Sequence, residues 1–157
     1  MSRRGLVHAW LAAGALAAAL TACALEPEVG PLLAGACDNA DTNPGRTVSF
    51  ARDIRPIIAA VPPASGCNCH LAQTGSGPGP ATVITGLDLG SYQSLVLGGH
   101  NSGANIVVPS QPCASILFQK VGAAPPFGSR MPLALPPLSA AQVQLIHDWI
   151  AEGAQDN

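Results

Sequence analysis

The chain has 157 residues and a formal net charge of −2, with 7 basic against 9 acidic side chains and only 4% aromatic residues. That length holds one domain rather than two, and the missing basic surplus excludes a nucleic-acid-binding surface. With 17 Gly and 15 Pro and few large side chains, the chain reads as loop-rich around a thin core, the kind of small domain that needs a covalent or prosthetic staple.

The first element is a leader. Ser2-Arg3-Arg4 is followed by an Ala-rich apolar run from Ala9 to Leu20, short for a membrane span, which ends in Leu20-Thr21-Ala22-Cys23. A small-residue triplet before a cysteine at that place resembles the bacterial lipobox. It predicts a signal peptide over 1–22, acylation of Cys23 and a membrane attachment through lipid. Ala24 is next, where Asp would favour retention at the inner membrane, so the expected location is the outer membrane of the envelope, facing the periplasm. Residues 23–47 mix Pro, Gly, Ala and acidic residues without periodicity and read as a flexible tether, with the domain proper over 48–157.

From Ser49, a plausible N-cap, Phe50, Ile54, Ile57, Ile58 and Val61 fall at helical spacing. Pro56 inside that run predicts a kink or a restarted first turn, and Pro62-Pro63 ends it. Gly75–Pro80 is a turn-rich loop whose prolines and lack of a preceding strand exclude a phosphate-cradling function. A short helix is predicted over Ser91–Leu97, stopped by Gly98-Gly99, and another over about Cys113–Val121, stopped by Gly122. Ser139-Ala140-Ala141-Gln142 is a capping box that opens a last helix with Val143, Ile146 and Ile150 on one stripe, Leu145 and Trp149 beside it, and Gly153 at its end. Only the short segment Asn105–Pro109 has strand character, so the expected class is all-α with long loops.

The chemistry-bearing cluster is Cys67-Asn68-Cys69-His70. Two thiols and an imidazole this close suit a covalent haem anchor or a soft-metal site. Haem anchors have the spacing C-x-x-C-H, and here one residue is missing. Residues three apart on a helix differ by about 300° and share a face, whereas residues two apart differ by about 200° and oppose each other. Either this turn is not helical, or Cys69 alone bonds haem and Gly66 stands where the first cysteine would be. Of the five cysteines, lipidation of Cys23 and haem attachment at Cys67 and Cys69 would leave Cys37 and Cys113 to form a disulfide; without haem the four remaining cysteines allow three pairings.

The segments Phe50–Val61, Gly86–Gly99, Ile106–Val121, Ser129–Leu133 and Leu138–Ala154 resemble, in order, the pattern of bacterial c-type cytochrome domains of the kind attached to planctomycete and myxobacterial envelope proteins. The resemblance covers about Val48 to Ala154 and is most specific at Met131-Pro132 and at the terminal Trp149–Ala154. It implies a small class I-like cytochrome c fold, haem c as cofactor, and redox proteins of the envelope as partners. His70 would be the proximal iron ligand, Cys69 and Cys67 the haem-bearing thiols, and Met131 the distal ligand; His100 is the alternative distal ligand. His147 reads as a helix-surface or haem-edge residue, because Ile146 and Ile150 define the buried face. Met131 could otherwise be a gap-filling core residue. The implied activity is single-electron transfer by a monohaem cytochrome, not catalysis, since six-coordinate iron leaves no open position. The rival reading is a haem-free lipoprotein binding Cu(I) or Zn(II) through Cys67, Cys69 and His70.

Overall fold

The computed structural model describes residues 37–60, 66–72 and 78–157. The leader, Cys23, the first part of the tether, Val61, the Pro62-Pro63 break and residues 73–77, which include the start of the Gly75–Pro80 loop, lie outside the described residues. Among those described, regular structure is helical and short, with no strand. Pieces of five or six residues do not hold themselves together in water, so tertiary packing maintains them.

Ser49 caps the first element as expected: its hydroxyl accepts from the Arg52 N–H, starting a wide helical turn at Phe50–Ile54. A regular helix, α1 (Arg55–Ala59), then restarts with Pro56 in its first turn, where the missing N–H costs no hydrogen bond. Asn68–His70 forms a single 3-10 turn. The next helix, α2 (Pro80–Thr85), was not expected from the sequence; Pro80 opens it and Gly86 closes it in the left-handed conformation. α3 (Tyr92–Leu97) carries a full capping box between Ser91 and Ser94. Gly103–Ile106 is a 3-10 turn, so the segment with strand character bends before Val107 extends.

The helix expected over Cys113–Val121 is split. Pro112–Ala114 forms a 3-10 turn, Ser115 is extended, and α4 (Ile116–Val121) begins after it. Ser115 is fully buried, and its hydroxyl bridges the Val108 N–H and the Gln111 carbonyl, a local exchange that competes with helical bonding. The last helix, α5 (Ala140–Ala151), has the expected Ser139/Gln142 capping box.

α5 packs against the Phe50–Ile54 turn, α4 and the Pro112–Ala114 turn. Trp149, fully buried, is the centre of this contact, with Phe50 at 5.5 Å and Tyr92 at 6.4 Å between ring centroids, and its indole N–H donates to the Gln155 carbonyl. Ile54, Ile58, Leu95, Ile106, Ile146 and Ile150 complete the core.

Two expectations are corrected here. His147 is buried rather than on the surface: its ring nitrogens lie 3.0 Å from the Asp148 carboxylate and 2.7 Å from the Asp38 carbonyl. The stretch from Cys37 to Asn43, read as free tether, is docked on α5 and the Pro112–Ala114 turn. Asp148 accepts from the Thr42 N–H, the Thr42 hydroxyl and Gln144; Asn39 accepts from the Cys113 N–H; and a disulfide joins Cys37 to Cys113, with Cα atoms 5.9 Å apart. The reason is the same in both cases: this segment supplies the second wall that buries the side of α5 lying off the Ile146/Ile150 stripe.

Candidate functional site

The Cys67–His70 turn is held by backbone bonds on both sides. The Cys67 N–H donates to the Ile58 carbonyl at the end of α1, the His70 N–H to the Cys67 carbonyl, and the Leu89 N–H to the His70 carbonyl, at 2.8–2.9 Å. The turn is 3-10 over Asn68–His70, with Cys67 at its N-cap. At three residues per turn, positions 67 and 69 still point different ways, and accordingly Cys67 is buried while Cys69 is exposed. Gly66 does not stand in a vacant cysteine position. It is buried against Ala60, and a Cβ there would collide with the Ala60 carbonyl.

Two adjoining apolar cavities meet at this turn. The first, of about 230 Å³, is lined by Cys67, His70 and Met131 together with Leu117, Lys120 and Phe127. The second, of about 260 Å³, is lined by Cys67, Cys69, His70 and Met131 together with Ile84 and Leu133. The four residues singled out in the sequence thus share one cavity wall, although Met131 lies some sixty residues beyond His70. Ile84 and Leu133 are well exposed and form an apolar rim. His100 is exposed, packs over Gly86 and lines neither cavity, which removes the geometric basis for the alternative distal ligand.

His70 is buried, and its Nδ1 has no hydrogen-bond partner among the described residues. Burial holds its imidazole below the ordinary histidine range; a hydrogen bond to the Leu87 backbone opposes this, and the Lys120 cation adds to the depression. The ring is therefore neutral at physiological pH, the form that can offer a nitrogen lone pair to a metal. Burial, with the Cys69 sulfur nearby, pushes the Cys67 thiol up to about 11. An apolar wall of this kind suits a neutral sulfur, whether thiol or thioether, better than a thiolate. No cluster of three or more His, Cys, Asp or Glu side chains placed to hold a metal ion occurs among the described residues.

Sequence reasoning missed Lys120. It stands at the end of α4, its ammonium donates to the Phe127 and Ser129 carbonyls at 2.7 and 2.6 Å, and it lies 4.8 Å over the Phe127 ring. Its own carbonyl accepts from the Met131 N–H at 2.8 Å. Nothing in the sequence around Lys120 announces this, because a lysine in the last turn of a helix is ordinarily a solvated charge satisfying the helix dipole.

No protein-family model, no curated protein and no solved structure matches the chain. No helix among the described residues is long and apolar enough to cross a membrane.

Proposed function

We propose that the chain is a lipid-anchored monohaem c-type cytochrome that carries single electrons in the cell envelope, attached through Cys23 and facing the periplasm. The observation that carries this reading is the shared cavity: two thiols, a buried neutral imidazole with one nitrogen unpartnered among the described residues, and a thioether sulfur line one apolar space. His70 would hold the iron through a ring nitrogen and Met131 through its soft, uncharged sulfur, while Cys67 and Cys69 would be the thiols for covalent attachment. Bound haem would supply reversible one-electron exchange, with a methionine ligand favouring the ferrous state. The apolar walls, Leu117 and Phe127 among them, would limit water at the metal. The Cu(I) or Zn(II) reading receives less support, since no group of three or more His, Cys, Asp or Glu side chains among the described residues is placed to hold a metal ion.

The test is a reduced-minus-oxidised visible spectrum with a pyridine haemochrome, on protein made in a host with cytochrome c maturation. Sharp haem c bands are expected, and the α-band position reports one thioether or two. A colourless protein, beside a C-x-x-C-H control that matures, overturns the reading and directs the work to metal analysis. With haem present, Met131→Ala opens the sixth position and lowers the potential; a wild-type potential in that variant would refute the ligand role of Met131.

A further inference from the structure

The segment from Gly122 to Leu138 contains no helix, yet it carries Met131 to the cavity wall. An irregular stretch of that length positions a side chain only where something ties it down. Three ties converge on one residue. The Lys120 ammonium takes the carbonyls of Phe127 and Ser129, and the Lys120 carbonyl takes the N–H of Met131. The stack of the ammonium over the Phe127 ring adds a fourth contact to the same loop. Charge-assisted bonds to carbonyls are stronger than neutral ones, and here two of them lie at 2.6–2.7 Å on a half-buried residue that lines the first cavity.

We propose that Lys120 is the positioning residue for Met131, and that its fixed positive charge beside the cavity favours whichever state of a bound metal carries less positive charge. The second half rests on the cytochrome reading; the first does not. The two parts of the residue act separately. The backbone tie to Met131 survives any side-chain change, whereas the two loop carbonyls and the charge are lost with the ammonium. Lys120→Met therefore removes the loop bonds and the charge together, Lys120→Gln keeps a donor without the charge, and Lys120→Arg keeps both.

The first measurement needs no cofactor. In the wild type Met131 is the only methionine besides Met1, and cleavage after Arg130 separates Met131 from the thioether that Lys120→Met introduces, so its conversion to sulfoxide by dilute hydrogen peroxide is read from a single peptide by mass spectrometry in every variant. In the full chain folded by circular dichroism, oxidation of Met131 is expected to be several-fold faster in Lys120→Met than in wild type, and near wild type in Lys120→Arg. Equal rates in wild type and Lys120→Met overturn the positioning role whether or not haem is present. The second measurement is made on holoprotein: Lys120→Met loses or weakens the methionine-to-iron charge-transfer band and has a lower potential, Lys120→Gln keeps the band with a lower potential, and Lys120→Arg matches wild type. An unchanged potential in Lys120→Gln overturns the electrostatic half. Failure of the wild type to take up haem would overturn the cytochrome reading and with it the electrostatic half, while the peroxide result would decide the positioning half by itself.

Discussion

Replacing both Cys37 and Cys113 by Ala removes the cross-link between the docked N-terminal segment and the Pro112–Ala114 turn. The two cysteines are 76 residues apart. Opening a loop of that size returns to the unfolded chain an entropy that corresponds to about 4.5 kcal/mol at 25 °C, while removal of native disulfides from small domains costs roughly 2–5 kcal/mol. The folded form should change little, because Asn39, Asp38 and Thr42 keep their own bonds to Cys113, His147 and Asp148. The loss therefore falls on the unfolded state. Urea titration of the double variant and of the oxidised wild type, both exported to an oxidising compartment and in the same cofactor state, should show a lower midpoint and a steeper dependence on denaturant, since the uncrosslinked chain exposes more surface. In thermal melts the same loss corresponds to a fall of roughly 15–30 °C. A stability change under about 1 kcal/mol with an unchanged slope would refute the argument, because loop closure of this length cannot be that small unless the unfolded chain already keeps the two segments together.

Asp148 is the second anchor of the same segment, and Asp148→Ala leaves the buried His147 ring without its carboxylate partner and removes the bonds from the exposed residues Thr42 and Gln144, for an expected loss of about 1–3 kcal/mol by urea titration. Burial by itself would raise its carboxyl, but hydrogen bonds from His147, from the Thr42 N–H and hydroxyl and from Gln144 outweigh burial and hold it below the ordinary aspartate range. A carboxyl depressed on folding contributes stability above its unfolded value, near 4, and that contribution is lost as pH falls through the depressed folded value; a stability profile from pH 7 to pH 2 should therefore be flatter on its acid side in Asp148→Ala than in wild type. Trp149→Ala empties the centre of the α5 contact and should cost about 3–5 kcal/mol, whereas Trp149→Phe, which keeps most of the volume and loses the bond to Gln155, should cost less than half of that in the same titration. Gly98→Ala places a Cβ against the Gly103 carbonyl at a residue with φ of 70°, so it should lower the melting temperature by several degrees and raise amide exchange through Gly99–Ser102, part of the first cavity wall.

What the sequence determined by itself was local. Ser49, Ser91 and Ser139 fixed three helix starts because a capping hydroxyl needs only the N–H two or three residues ahead, and Pro56 fixed the restart of the first helix for the same short-range reason. The stripe of Ile146 and Ile150 identified the buried face of α5, composition showed a loop-rich chain, and helical spacings with almost no strand alternation placed it in the all-α class. The cysteine-histidine cluster and Met131 were legible as chemistry, since their residue types are uncommon in that pattern, but not as a place.

Tertiary structure decided the rest. That Met131 returns to the wall shared by Cys67, Cys69 and His70 depends on how Lys120 ties an irregular loop, which no periodicity encodes. That Cys67 is buried while Cys69 is exposed follows from a 3-10 turn pinned between α1 and Leu89 by backbone bonds from distant residues. The burial of His147 and Asp148 depends on a segment about a hundred residues earlier folding back over α5. A helix-wheel argument sees one wall of a core, and a second wall arriving from far along the chain changes which residues are inside, because burial is a property of neighbours in space and hydrogen-bond partners need not be neighbours in sequence.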